Sequence, residues 1–253
     1  MSKLNDLLLA AKNDLPITVR HEQWLSRNSN VRYPPKHVST IADLLVGGDR
    51  VRLHSFSSSS TGDCHRKQIF SYLGMKGRPT DAALANIFHT GNFIHLKWQL
   101  AGLTEGWLKQ IEVPLHSEKY NLKGTMDGIL WDNSGFEFKS INSNGFKNVM
   151  QFGPKKEHIM QVDAYSLLTG IDAFSILYEN KDNGEWKEFR VHRDEERIDL
   201  IKKHLIQLNM HLEKKLLPAP LDECKLKEGK YTRCPFKDRC LKVKAWDEIN
   251  DKN

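Results

Sequence analysis

No stretch of this chain is apolar enough for long enough to cross a bilayer. Its longest apolar runs, such as "DLLLAA" and "IADLLV", fall far short of the roughly 18–20 residues required, so no membrane partner is expected. The N-terminus has no signal-peptide core or cleavage site, which predicts a cytoplasmic protein. No G-x-x-x-x-G-K-[ST] occurs, so these residues contain no helicase motor. There is no internal repeat, and the serine run in "HSFSSSSTGD" is too short to form a low-complexity segment. Cysteine is scarce, with four in 253 residues. In a cytoplasmic chain, so few thiols point to metal ligation rather than to a disulfide framework.

Charged residues make up 28% and hydrophobic residues 39%, the balance of a soluble globular protein. The length allows one large core, or one core with a small appendage. A formal net charge of +6 admits a polyanionic partner without requiring one.

The chain reads as three parts. Residues 1–54 form an N-terminal helical extension, residues 55–240 a core together with the cysteine-bearing segments that flank it, and residues 241–253 a tail. "LNDLLLAAK" reads as a short helix, "RYPPKH" as an extended breaker, and "VSTIADLLVGG" as a helix with a Ser or Thr cap and a glycine stop. "CHRKQIFSYLG" reads as another helix. From Thr80 to Gly102, Leu84, Ile87, Phe88, Gly91, Ile94 and Trp98 recur at helical spacing. "WLKQIEVPLH", "YNLKGTMDGILW" and "GFEFKSI" read as strands, the last two joined by the turn formers from Asp132 to Gly135. A helix from Pro154 to Gly170, a second hairpin ("AFSILYEN" and "WKEFRVHR") and a long amphipathic helix ended by "PAP" complete the core. This order predicts an α/β protein with a mixed central sheet flanked by helices.

The strand pair carries an unusual charge pattern. Glu137 and Lys139 are two apart and share one strand face, with Phe136, Phe138 and Ser140 on the other. Taken alone, this is a half-buried strand with a wet face. Asp127 is harder to explain by solvation, because it lies in an apolar strand between Gly124 and Gly128. Two carboxylates aimed at one point repel each other unless a cation lies between them, and hard oxygen ligands suit Mg²⁺ or Mn²⁺. A bound divalent ion activates water near neutral pH and neutralises charge developing on a phosphate. A neighbouring ammonium, Lys139, could orient that water or stabilise the transition state. The set suits phosphodiester hydrolysis. A three-residue loop from Asp132 to Ser134, with Trp131 opposite Gly135, would place Asp127 opposite Lys139 and all three charges on one face.

Other residues are less telling alone. His95 lies one turn after Gly91 on the apolar side of its helix, where a satisfied core histidine is the usual occupant. Gln161 and Tyr165 are four apart, as in many surface pairs. Glu112, in a strand, is a possible accessory.

Taken in chain order, these pieces resemble the PD-(D/E)XK nuclease superfamily in its RecB-like exonuclease branch. The motifs are Gly91 to His95, Gly124 to Asp127, Glu137 to Lys139, and Gln161 to Tyr165. Thr125-Met126-Asp127 stands where the family usually has Pro-Asp. The resemblance implies a restriction-endonuclease-like core. It implies that His95, Asp127 and Glu137 bind Mg²⁺ or Mn²⁺, that Lys139 is catalytic, and that Gln161 and Tyr165 position DNA or support the site. The implied activity is metal-dependent exonuclease cleavage of DNA from single-stranded or free ends. A helicase, or a protein of recombination or CRISPR adaptation, is the implied partner.

Iron–sulfur nucleases of this branch carry one cysteine before the core and three after it. Cys64, Cys224, Cys234 and Cys240 follow that distribution. The resemblance implies a [4Fe-4S] cluster joining the N- and C-terminal helical parts. The gap from Cys224 to Cys234 is wider than usual, and four thiolates also suit zinc. A rival reading is a catalytically silent nucleic-acid-binding module with a structural zinc, contacting phosphates through Arg66, Lys67, Arg233 and Lys237.

Overall fold

A computed structural model of the chain describes residues 16–28, 30–46, 54–225 and 234–249. The helix expected over residues 4–12 and Arg233 lie outside the described residues.

Two helices precede the core. Helix α1 spans Ile17–Arg27 and α2 spans Pro35–Val46. The latter starts earlier than the sequence pattern implies: His37 and Val38 already donate their amides to the Pro34 carbonyl. A proline in the first helical turn loses no hydrogen bond, and its fixed φ suits the helix, so "PP" opens this element rather than breaking it. Strand β1, Phe56–Ser57, and a single 3₁₀ turn, Ser58–Ser60, occupy the serine run. Helix α3 is His65–Tyr72, and α4 runs from Ala82 to Glu105. The side chain of Asp81 caps α4 by accepting from the Leu84 amide at 2.8 Å, and a left-handed Gly106 ends it.

Strands β2 (Leu108–Ser117), β3 (Leu122–Leu130) and β4 (Gly135–Ile141) fall where the pattern puts them. Helix α5, Ser143–Phe152, follows at once and was not foreseen. Its polar, glycine-containing start hides it. Its signals are Asn142, whose side chain accepts from the Gly145 amide at 2.9 Å, and the buried pair Phe146 and Val149. Helix α6 (Lys156–Thr169), strands β5 (Ala173–Asn180) and β6 (Trp186–His192), and helix α7 (Glu195–Glu213) complete the core. Short helices α8 (Asp222–Lys225) and α9 (Lys237–Cys240) lie toward the C-terminus.

The six strands form one mixed sheet. β2 lies antiparallel along one edge of β3. The other edge of β3 is shared: β1 pairs in parallel at Leu122 and Lys123, and β4 pairs antiparallel only at Gly128 and Ile129. β4 then continues in parallel with β5, and β5 pairs antiparallel with β6. β3 and β4 therefore part like a fork beyond Gly128 and Phe136.

Helices cover both faces of the sheet. Ile17, Trp98, Trp107, Leu130, Phe136, Phe138 and Leu177 form the core under α1 and α4. Met126, Phe146, Val149, Val162, Tyr165, Phe174, Ile176 and Tyr178 form it under α5 and α6. A third cluster joins Ile69 and Phe70 of α3, Leu205 and Leu208 of α7, and the C-terminal residues Phe236, Cys240, Val243 and Ile249. β4 is thus covered on both faces, as suits a strand in the parallel part of a sheet. Only Lys139 and Ser140 of this strand are half-buried, so it is not a strand with a wet face.

Candidate active site

The fork between β3 and β4 creates the site. The ladder ends at Gly128↔Phe136. There Asp127 takes over from the backbone: its Oδ2 accepts the Phe138 amide at 2.7 Å. The turn is again three residues long but shifted, since the Leu130 amide donates to the Ser134 carbonyl and Ile129 pairs with Gly135. The expected register, with Trp131 opposite Gly135, is therefore replaced by one in which Gly135 faces Ile129. Parity is kept, because the partner moves by two residues. Asp127 reaches Glu137 through the fork rather than by lying across from Lys139. The two carboxylates are close enough for Asp127 to raise the Glu137 pKa.

Helix α4 supplies the next group. Gly91 lets it approach β4, since a Cβ there would lie 3.1 Å from Ser140 Oγ. One turn on, His95 Nε2 is 3.4 Å from Asp127 Oδ1 and 3.9 Å from Glu112 Oε1. That nitrogen is buried and has no hydrogen-bond partner among the described residues. Glu112 lies on β2 between the pairs Ile111↔Gly128 and Val113↔Met126, hence beside Asp127. Its φ of 50° is in the left-handed region, where a residue other than glycine is strained by roughly 1–3 kcal/mol. Gln99, fully buried four residues after His95, holds this corner by donating to Glu112 Oε1 at 2.9 Å and to the Asp127 carbonyl at 3.1 Å. Sequence reasoning missed Gln99. Its signal is the i, i+4 spacing from His95, which puts both on one helix face.

Helix α6 approaches from the other side. Gly124 makes room for the serine turn, because a Cβ there would overlap Ser58 Oγ and press on the Tyr165 ring. Lys139 Nζ lies 2.6 Å from Glu137 Oε1 and donates to Gln161 Oε1 at 2.9 Å. Gln161 Nε2 donates to the Tyr165 hydroxyl at 2.6 Å, and that hydroxyl donates to the Thr125 carbonyl at 2.8 Å. Gln161 and Tyr165 are both buried, so they are not a surface pair. They form a relay that fixes the Lys139 ammonium and ties it back to β3.

Burial dominates the electrostatics. It pushes Asp127 up to about 7, opposed by Lys139 and the Phe138 amide. It also pushes Glu137 up to about 7, reinforced by Asp127 and opposed by Lys139. Burial pulls Lys139 down, but Glu137 and Asp127 outweigh it and leave the ammonium raised above its ordinary value. His95 is lowered, by burial first, which leaves a neutral imidazole with a lone pair to offer.

These features fit a divalent cation. One ligand atom each from His95, Glu112 and Asp127 lies within 4.8 Å of the others. Glu137 Oε2 is buried without a partner among the described residues, as is His95 Nε2. Buried polar atoms are almost always satisfied, so two orphans in one site leave ligand positions that an ion can fill. Carboxylate oxygens with one imidazole suit Mn²⁺ or Mg²⁺. The expected trio was His95, Asp127 and Glu137. In this arrangement Glu112 joins His95 and Asp127, while Glu137 bridges toward Lys139.

The cysteines gather elsewhere. Cys64 caps α3, with its sulfur accepting the Lys67 amide at 3.3 Å. The Cys64 thiol is raised by burial and by the charges of Cys224 and Cys234. Burial pushes Cys240 to about 11, with added contributions from Cys64, Cys234 and Cys224. All four thiols therefore share one neighbourhood, and among the described residues they form no disulfide. Arg66 ties it together, donating to the carbonyls of Pro218 and Cys240, each at 2.7 Å, and to that of Val243. Arg66 is buried, and Lys67 pairs with Asp63 at 2.6 Å. Arg66, buried and engaged with three carbonyls, is therefore not a ready phosphate contact.

The fold has counterparts among solved structures. The alkaline exonuclease LHK-Exo from Laribacter hongkongensis aligns at 18% identity and a TM-score of 0.54, over 65% of this chain and 91% of that one. Its complex with dAMP aligns at 19% identity with the same TM-score and coverage. SSO0001 aligns at 18% identity and a TM-score of 0.50, over 82% of this chain and 95% of that one. The chain has a restriction-endonuclease-like fold. No family model matches the chain, and neither does any curated protein. Among the described residues no helix is long and apolar enough to cross a membrane.

Proposed function

We propose that this chain is a metal-dependent deoxyribonuclease that removes nucleotides from DNA ends, single-stranded ends above all. One observation carries the reading: Asp127, Glu137 and Lys139 meet at the strand fork, with Glu137 Oε2 and His95 Nε2 orphaned in the same site. The likeness in fold to an alkaline exonuclease, one structure of which holds dAMP, supports the same activity.

His95, Glu112, Asp127 and Glu137 would hold Mg²⁺ or Mn²⁺, which supplies an activated water and neutralises charge on the phosphate. Lys139 places its ammonium beside the scissile phosphate, where negative charge grows in the transition state. Gln161 and Tyr165 keep Lys139 in that position, so no reorganisation is needed at the moment of reaction. Gln99 fixes the Glu112 carboxylate and the β3 backbone.

For the four cysteines we favour a [4Fe-4S] cluster over zinc. The order of the cysteines along the chain carries this reading, and the role of the cluster would be structural. A helicase, or a recombination or CRISPR-adaptation protein, would deliver the DNA end.

Incubation of end-labelled linear DNA, single- and double-stranded, with Mg²⁺, Mn²⁺ or EDTA tests the reading. Mononucleotides should accumulate only with metal, and circular single strands should survive. Cleavage in EDTA, or none under any condition, refutes it.

A further inference from the structure

The first half of α4 projects beyond the sheet. Residues 81–90 are all exposed. Yet Leu84, Ile87 and Phe88 are large and apolar, at 41%, 47% and 57% exposure. Their positions continue a single stripe. At 3.6 residues per turn, Leu84, Phe88, Gly91, His95, Trp98 and Gly102 fall on one side of the helix, with Ile87 beside them. The C-terminal part of that stripe packs on β4 and carries His95 to the metal corner. The N-terminal part runs on from the same corner into solvent. Phe88 is seven residues from His95, about 10 Å along the axis at 1.5 Å per residue. That is the length of about three stacked nucleotides at 3.4 Å each.

The helix also lacks acid. From Ala82 to Thr104 there is no Asp or Glu, and the polar positions of its first half are Asn86, His89, Thr90 and Asn92. A solvated helix face usually carries mixed charge. An apolar and aromatic stripe flanked by amides, a hydroxyl and an imidazole, with no carboxylate between the capping Asp81 and Glu105 to repel phosphates, matches an unpaired nucleic-acid strand. A second copy of the chain fits less well. Leu84, Ile87 and Phe88, with Phe93 exposed on the opposite side of the helix, bury far less than the roughly 800 Å² per partner of a stable interface.

We propose that this half of α4 is a platform for the bases of the strand being degraded, with Phe88 as its stacking residue and Leu84 and Ile87 beside it. The proposal rests on the nuclease reading and adds to it a binding surface outside the metal corner. It implies that unpaired strands are held next to the site before the bond breaks.

Phe88→Ala and Phe88→Trp test it. Binding of fluorescein-labelled oligothymidylate is measured by anisotropy in a Lys139→Ala background, so that the probe survives. Base stacking predicts that Phe88→Ala weakens binding by about 5- to 150-fold, and that Phe88→Trp restores it. Hydrolysis of methyl p-nitrophenyl phosphate, which carries no nucleobase, should be equal in the parent and Phe88→Ala. Unchanged oligothymidylate affinity in Phe88→Ala overturns the platform. So does sedimentation showing that the parent is a dimer which Phe88→Ala dissociates, because a second copy then covers the stripe. A parent that cleaves no phosphodiester sinks the nuclease reading, and the platform with it. A parent that cleaves while its Phe88→Ala variant binds DNA normally sinks the platform alone.

Discussion

Glu137→Gln should stabilise the metal-free protein, and more so at pH 8 than at pH 5. The Glu137 side chain is 2% exposed, with Oε1 held by Lys139 at 2.6 Å and Oε2 without a partner among the described residues. Burial, reinforced by Asp127 and opposed by Lys139, moves its carboxyl from 4.5 to about 7. Between those values the folded chain keeps a proton that the unfolded chain has released. Stability therefore falls as pH rises through this window, because its slope follows the protons bound unfolded minus those bound folded, which is negative here. At about 1.4 kcal/mol per pKa unit the loss is about 3.5 kcal/mol. Asp127 titrates in the same range, and sharing leaves about 2 kcal/mol to either group alone. The substituted amide would keep the shape and the acceptor for Lys139 but not the charge. For a chain of this size, 2 kcal/mol is about 4–8 °C in Tm. Scanning calorimetry in EDTA from pH 5 to 8, read as parent minus variant, cancels titrations common to both. The parent should lose about 4–8 °C on the variant across this range, and Mn²⁺ at pH 8 should return most of it to the parent alone. A difference that does not vary with pH, or a parent that gains on the variant as pH rises, would refute the reasoning.

Lys139→Ala should abolish cleavage of end-labelled DNA while leaving the far-UV circular dichroism spectrum and Mn²⁺ binding near those of the parent; residual cleavage close to the parental rate removes Lys139 from the mechanism. Gln99→Leu frees the Glu112 carboxylate and should weaken Mn²⁺ binding, measured by calorimetric titration, by about 10-fold or more, as loss of an orienting partner does elsewhere. Arg66→Ala leaves three buried carbonyls without their donor and should cost about 3 kcal/mol, or about 6–12 °C in Tm. Iron, sulfide and zinc analysis of anaerobically purified protein should return about four iron and four sulfide per chain if a [4Fe-4S] cluster is present. Stoichiometric zinc without iron overturns the cluster and spares the nuclease. Four freely titrating thiols in the folded protein remove any metal there.

Much of this was legible in the linear order. Strand alternation and turn chemistry placed β2, β3, β4, β5 and β6. Capping residues and periodicity placed α3, α4, α6 and α7 to within a few residues. Asp127 stood out because a carboxylate inside an apolar strand contradicts solvation. Other features lay beyond local pattern. Helix α5 was hidden by its polar first turn, since its hydrophobic signal is only Phe146, Val149, Met150 and the terminal Phe152. Glu112 looked like any strand glutamate, and only its place on β2 beside β3, with a left-handed φ, brings it to the metal corner. Gln161 and Tyr165 looked like a surface pair until α6 was packed against the sheet.

The sequence by itself determined the chemical set and its order along the chain: His95, Asp127, Glu137 and Lys139 on a helix and two strands, and one cysteine before the core with three after it. Side-chain periodicity and residue chemistry are local properties, and they survive without a tertiary structure. The tertiary structure decided what those residues do to one another. It parted β3 from β4 so that Asp127 could bind the Phe138 amide, brought Gln99 and Glu112 to the corner, and buried two carboxylates deeply enough to move both to about 7. It also committed Arg66 to C-terminal carbonyls rather than to phosphate. Burial and distance arise from contacts between segments remote in sequence, and desolvation, the largest influence on both carboxylates, exists only once those contacts have closed.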